Sequence, residues 1–404
     1  MISTAQNSAE SRMPIVGAMR HHFLPPSETF IYNSILGVTR YQTKIFSISR
    51  KSEEKFKLPN ITALRSLPFG TVEGALYRAT TYSPRFFRWA KGVDILHAHM
   101  GYTGVHGLIA AKKFGLPLVT SFYGNDIAIL QSSQKRKVEY WHFWAFANAL
   151  FERGTRFLVL SADMKTKLEE LGCPSEKITI NALGNDLEAF RTKREARDPQ
   201  EATRVLMVGR EVQKKGFDDG LRACAAALAQ GANLSLSIHG NNGPLHDELR
   251  SLAAELKLEV NWIEPADSVA QAMRGADVLL VPSRTADNGD REGTPTVICE
   301  GSAAGLPIVA TRHAGIPEQV IPGTTGLLSD ERDVAGLGQS LIELSANPEL
   351  RLEMGLAAER KAQSDFGIVS HCARLQSTYD ELIGKHLYHK PALAHAGSTG
   401  LSRE

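Results

Sequence analysis

A chain of 404 residues with 43% apolar and 22% charged side chains has the composition of a soluble globular protein and is too long for one ordinary core, so two domains are expected. The net charge of +2 lacks the basic excess of a nucleic-acid binder, yet it conceals a divided chain, with 26 Lys and Arg against 16 Asp and Glu in residues 1–195 and 20 against 28 thereafter. No apolar run is long enough to cross a bilayer, the opening MISTAQNSAESRM lacks the order of a secretion signal, and Cys173, Cys224, Cys299 and Cys372 are scattered without a zinc or redox spacing, so a reduced, cytoplasmic protein is expected.

In the first half, PIVGAMR, TKIFSIS, VDILHAH, LPLVTSFYG and RFLVLS read as strands separated by helices or loops, and ITIN follows them. HAHMGYTG and SFYGNDI each continue a strand, which places His97, His99, Tyr123 and Asp126 on a cleft wall where they would position substrate hydroxyls. His97 and His99, two apart, share one strand face, but no third ligand has metal spacing, so no metal is expected. Tyr82 to Gly92 (YSPRFFRWAKG) and Gln134 to Ala147 (QKRKVEYWHFWAFA) interleave aromatic and basic residues. Such stretches suit either a buried aromatic stripe or peripheral contact with anionic lipid at the inner face of a membrane.

The charged segment Arg191 to Arg204, with Pro199 and no apolar period, reads as a linker. Beyond it the alternation restarts: RVLMVGR, a helix through DDGLRACAAALAQG, NLSLSIHG, a helix from Pro244 to Leu258, EVNWIE, a helix through DSVAQAMRG, then DVLLVPS. Repeated strand–helix alternation of this kind means parallel sheets covered on both faces. The expected fold is therefore α/β, with two Rossmann-like doubly wound domains over residues 1–195 and 200–367. A helix from about residue 368 packs back across the boundary, and the polar tail after Gly384 is expected to fray.

Chemistry concentrates in the second half. In VGREVQKKG a strand ends at Gly209, putting Arg210 and Lys215 at the carboxyl edge of the sheet, where two fixed cations suit a diphosphate. In REGTPTVICEGSAAGLPIVAT, Glu292 and Glu300 bracket a helix start in which Thr294 reads as the N-cap and Pro295 as the first helical residue. The free amides of Thr296 and Val297 and the positive end of the macrodipole would face an anion, Glu300 a ribose, and Glu292 with Gly293 a sugar. Gly240, in the turn HGNNGPL, would let backbone approach a ligand, and the turn around Glu264 is a candidate base-binding loop.

These motifs, in their order and spacing, resemble those of family 4 glycosyltransferases, the retaining, sugar-nucleotide-dependent enzymes with the GT-B fold of two Rossmann-like domains facing a central cleft. The likeness runs from PIVGAMR to LQSTYDELI and includes LGNDLEAF before the linker. It implies that Arg210 and Lys215 hold a donor diphosphate and act in catalysis with Glu292, that Glu300 holds the ribose, and that no cofactor is needed. Where the family often has a Gly-Gly loop, this chain has RHHFLPPSETFIYN, similar to the Ser-Glu-Thr-Phe-Ile variant of exopolysaccharide and colanic-acid enzymes, so Glu28 and Thr29 would face acceptor or sugar. Tyr123 stands where a family histidine is common; a phenol is a poor base near neutral pH and is expected only to position. The implied reaction moves a hexose from a UDP-sugar, or alternatively GDP-mannose, to a polysaccharide, a lipid-linked saccharide or a soluble acceptor. A non-catalytic nucleotide-sugar-binding subunit is the alternative from another class.

Overall fold

The computed structural model describes residues 12–25, 28–54, 56–132, 136–137, 139–240, 242–264 and 266–389. The first eleven residues of the opening segment and 390–404 of the polar tail lie outside it, as do Gln134, Lys135 and Val138 of the second aromatic stretch, Asn241 and Pro265.

Two wholly parallel sheets dominate. The first has seven strands in the order Ile61–Ala63, Gln42–Ser47, Ile15–Met19, Ile95–His99, Leu118–Ser121, Arg156–Val159, Ile178–Ile180. The second has six, in the order Val260–Ile263, Leu234–His239, Thr203–Val208, Val278–Val281, Ile308–Thr311, Gly326–Ser329. Counted along the chain within each sheet, both run 3-2-1-4-5-6, with a seventh strand appended to the first. Strands buried on both faces read as continuous apolar runs, as in Val278–Val281 and Ile308–Thr311, where every residue is buried. Helices supply the cover: Phe217–Ala229 lays Leu221, Cys224 and Ala227 against the second sheet. The four cysteines are free and buried.

The chain passes between the domains twice, side by side. Asn181 is still tied to the first sheet through the Val159 carbonyl, whereas Leu187 already packs on Cys299 and Ala303 of the second domain. The return passage pairs with the outward one, Asn185 N–H donating to the Phe366 carbonyl and Ile368 N–H to the Asn185 carbonyl, each at 2.9 Å. Helix Ile368–His389 then lays Leu375, Tyr379 and Leu382 on Val16, Ile95 and Val119 of the first domain.

The charged segment Arg191–Arg204 is not a free linker. Arg194 donates to the carbonyls of Met273, Ala276 and Ala304 at 2.7, 2.6 and 2.7 Å, and Arg197 and Arg204 pair with Asp277 at 2.7 and 2.9 Å. Helices ending at Gly275 and Ala303 leave their last carbonyls without intrahelical partners, and a guanidinium satisfies several at once. Charge without apolar period looked like solvated linker in the sequence because those acceptors are backbone groups.

Candidate functional site

In a 3-2-1-4-5-6 sheet the first and fourth strands are neighbours whose connections leave toward opposite faces, opening a crevice at their carboxyl ends. In the second sheet these are Thr203–Val208 and Val278–Val281, paired through Val205–Val278 and Leu206–Leu279. The loops that follow them bring the two charged motifs together: Lys215 Nζ stands 3.2 Å from Glu292 Oε1, with side chains only 14% and 11% exposed. Gly209, at φ 149°, makes this possible, because a Cβ there would crowd the Lys215 stem at 3.2 Å from its Cε. Gly216, at φ 62°, closes the turn with no room for a Cβ against the Pro282 carbonyl. Lys214 reaches Asp290 and the Arg291 carbonyl at 3.1 and 3.2 Å, and Gln213 and Asp287 bond in both directions at 2.5 and 2.9 Å. Arg210 is exposed at the crevice edge.

The helix after Glu292 runs Thr296–Ala303, so it starts one residue later than the sequence suggests. Pro295 keeps an extended ψ of 119° and is itself the cap residue, without a side-chain capping bond, while Thr294 stands outside the helix. Its carbonyl explains the shift: it accepts from Ile298 N–H at 3.2 Å and from the buried Gln319 side chain at 3.0 Å, which fixes the proline in the non-helical conformation. The amides of Thr296 and Val297 are first-turn donors with no intrahelical acceptor. Glu300, about one turn on, is half-buried, and burial raises its carboxyl above the ordinary range against the pull of the Lys215 ammonium.

The loop after the fifth strand supports this one from beneath, and sequence reasoning missed it. Gly315 N–H donates to the Gly293 carbonyl at 3.1 Å, and Glu292 N–H to His313 Nε2 at 3.0 Å. His313 is completely buried, and its Nδ1 lies 2.5 Å from Glu331 Oε1. Glu331 Oε2 accepts from Thr285 N–H at 2.9 Å. The rule that singled out Glu292, polar groups just past a strand end, applies equally to His313 two residues beyond Thr311.

Gly240 and Glu264 occupy the outer turns of the same edge. Gly240 is buried, and its missing Cβ leaves space for the Glu211 carboxylate. Its close approach is thus to a side chain of the protein. Glu211, 1% exposed, accepts from Gly243 N–H at 2.8 Å and from His246 Nδ1 at 2.9 Å, bracing the turn before helix His246–Glu255. Glu264 is exposed, and its carbonyl accepts from Asp267 N–H at 2.9 Å.

In the first sheet the equivalent crevice lies beyond Ile15–Met19 and Ile95–His99. Arg20 and Glu28, both buried, form a bidentate pair at 2.6 and 3.1 Å, and Arg20 also donates to Tyr102 OH at 2.8 Å, joining the loop after the first of these strands to the helix Gly101–Phe114 after the second. Thr29 starts helix Thr29–Gly37 directly behind Glu28. His97 and His99 do share a face, with ring centroids 4.3 Å apart, but they sit in the core rather than on the cleft wall, at 3% and 2% exposure. Both His97 nitrogens are taken, by Tyr379 OH at 2.6 Å and Ser121 Oγ at 2.7 Å, and burial pushes its pKa down to about 3. His99 Nδ1 bonds Tyr123 OH at 2.7 Å. Asp126 is wholly buried and accepts from the amides of Gly101, Tyr123, Gly124 and Ile127 at 2.9, 3.1, 3.1 and 3.1 Å. It holds the loop, and its carboxylate is not offered to a substrate. Among the described residues no cluster of His, Cys, Asp and Glu has the geometry to hold a metal ion.

The carboxyl edges of the two sheets face each other where Glu318, past the fifth strand of the second sheet, accepts from the amides of Ala162 at 2.7 Å and Asp163 at 3.4 Å, past the sixth strand of the first. Two doubly wound domains opposed in this way, with a cation, a carboxylate and a helix start at one switch point, define the GT-B class. Comparison with known proteins gives the family. The profile of "Glycosyl transferases group 1" matches residues 189–361, and that of "Glycosyl transferase 4-like domain" matches 51–184. Glycosyltransferase WcaL of Salmonella typhimurium, named for colanic acid biosynthesis, is 34% identical over 68% of this chain and 67% of its own. The amylovoran biosynthesis glycosyltransferase AmsK of Erwinia amylovora is 32% identical over 68% and 66%. The matched segment thus spans about two-thirds of those relatives' length. In fold the chain is similar to Anabaena Alr3699/HepE, solved in complex with UDP, with a TM-score of 0.70 and 19% identity over 92% of this chain and 100% of the other. It is also similar to the lipopolysaccharide outer core galactosyltransferase WaaB in its apo form, with a TM-score of 0.67 and 16% identity over 92% and 100%. The chain belongs to the group 1, family 4-like glycosyltransferases and has the GT-B fold.

Proposed function

We propose that the protein transfers a hexose from a nucleoside-diphosphate sugar, UDP favoured over GDP, to a hydroxyl of a saccharide acceptor in exopolysaccharide assembly, with retention at the anomeric carbon. The observation that carries this reading is the approach of Lys215 to Glu292 at 3.2 Å in front of the Thr296 helix start. In it, Lys215, Arg210 and the amides of Thr296 and Val297 take the diphosphate, Glu300 the ribose, and Glu292 with Gly293 and Thr294 the sugar, while the Glu264 turn reaches the base. Positive charge for the leaving β-phosphate then comes from side chains and a helix start, without a metal ion. The departing phosphate oxygen takes the acceptor proton as the new glycosidic bond forms. The UDP complex of the HepE neighbour and the names of the WcaL and AmsK relatives support the choice of donor and pathway class. Calorimetry and thermal shift with UDP, GDP, UDP-glucose and GDP-mannose test it: a ligand at 100 times its Kd stabilises by about 2.7 kcal/mol. The absence of any shift with all four would overturn the assignment.

The acceptor side supports a lipid-linked saccharide reached at an anionic bilayer. No helix of the described residues is long and apolar enough to cross a membrane. Val72, Leu76, Trp141, Trp144 and Phe146 of the first domain are nonetheless exposed. Trp141, Phe146, Ile109 and Arg153 line a groove of about 310 Å³. Arg65, Arg78, Lys112, Arg136 and Lys137 of the same domain are also exposed, and a domain that presents both aromatic side chains and cations suits an anionic lipid surface. Sedimentation with phosphatidylglycerol vesicles but not with phosphatidylcholine vesicles is expected, reduced by the Trp141→Ala/Trp144→Ala double variant; equal recovery with both lipids would refute the contact.

A further inference from the structure

We propose that His313 and Glu331 are positioning residues that clasp both ends of the loop presenting Glu292, and so set the geometry of the sugar end of the site; the functional part of this inference rests on the donor reading above. Residues 285–292 form no helix or strand. Their outward bonds, from Gln213 and Arg332 to Asp287 and from Lys214 to Asp290 and the Arg291 carbonyl, end on loop groups at the surface, and ion pairs with an exposed partner contribute little in water. The inward bonds are different. Because Glu292 N–H donates to His313 Nε2, the ring hydrogen must sit on Nδ1, where it donates to Glu331 Oε1 at 2.5 Å. The second oxygen of the same carboxylate accepts from Thr285 N–H. One imidazole and one carboxylate therefore bind the first and last residues of the arch. His313 is wholly buried and the carboxylate bond is charge-assisted, so the clasp is held in one tautomer and one orientation. With its amide turned down to His313, Glu292 directs its side chain up toward Lys215, 3.2 Å away.

The test uses the full chain with His313→Phe, which keeps a ring but loses both bonds, His313→Gln, which can accept from Glu292 N–H and donate to Glu331, and Glu331→Gln at the more exposed partner. Amide hydrogen exchange over 285–295 is expected to be at least about tenfold faster in His313→Phe and to return toward wild type in His313→Gln. Nucleotide release from UDP-glucose should fall on the order of 10²-fold in His313→Phe through kcat, with affinity for UDP unchanged, because misplacement of a reacting group costs roughly that much. Wild-type exchange over 285–295 in both His313→Phe and Glu331→Gln overturns the clasp, as does loss of UDP affinity in parallel with kcat. If His313→Phe does not fold, Glu331→Gln decides by the same exchange readout, faster exchange supporting the clasp and unchanged exchange refuting it. A wild-type protein that releases nucleotide from no donor removes the donor reading, while exchange still decides the clasp.

Discussion

Lys215 carries the most chemistry for the least structural commitment. Its ammonium touches Glu292, bonds no backbone group among the described residues, and keeps 14% of its side chain exposed, so Lys215→Ala should leave the melting temperature within a few degrees while cutting turnover by roughly 10²–10³. Steady-state nucleotide release beside a circular-dichroism melt checks both halves of that expectation. Glu300 adds a pH dependence. Burial raises its carboxyl, so the fold favours the protonated form; its stabilising contribution is complete below the unfolded pKa and fades as pH rises through the folded one. In the proposed donor complex the ribose needs the ionised acceptor, so affinity for UDP-glucose should run the other way, rising with pH through the same folded pKa. Glu300→Gln should flatten that profile in calorimetry from pH 4.5 to 8.

At this scale the sequence was legible wherever placement follows from position alone. Lys215 and Glu292 each lie in a loop just beyond a strand, and strand ends can be read from apolar runs. His97 and His99 defeated the same rule because a period of two says that they share a face but not which face; the closing helix covers that one and supplies Tyr379 to His97. His313 escaped notice because its partner Glu331 is 18 residues away in an unremarkable charged turn.

At the scale of elements, most of both sheets was legible because parallel strands are continuous apolar runs, but the short, partly exposed edge strands Ile61–Ala63 and Gly326–Ser329 carry no such run and went unread. Helix starts were less so: the Thr-Pro pair points to a helix beginning at Pro295, but the Pro295 carbonyl is engaged by Ile298 N–H and by the side chain of Gln319, at the end of the short helix Ile316–Gln319, which holds that proline out of the helix. The turn at Gly216 shows how tightly the elements are set. Its φ of 62° and the adjoining Pro282 carbonyl admit no side chain, so Gly216→Ala should lower stability by about 2 kcal/mol or more and displace Lys215 with it. A urea midpoint unchanged from wild type would show that the turn relaxes freely.

Across the whole molecule, the Glu318 carboxylate meets the amides that begin helix Ala162–Glu170, joining the domains through a side chain and a helix start. Glu318→Ala should widen the distribution of interdomain distances in solution scattering and weaken cleft closure, raising hydrolysis of the donor relative to transfer. Scattering curves that superimpose would place the control of closure elsewhere. The division of charge between the halves was plain from composition, whereas the route of the chain between them was not, since Arg194 reads as linker until the carbonyls of Met273, Ala276 and Ala304 are known.

The twin crossings at Asn185 and Gly367 bear on how the polypeptide can be made or cut. Because the last described helix roofs Val16, Ile95 and Val119, a ribosome must release the chain through both crossings and that helix before the earliest-made sheet gains this cover. Until then that face of the sheet has no cover from the helix, and a nascent protein stalled short of Ile368 would offer chaperones part of its amino-terminal core.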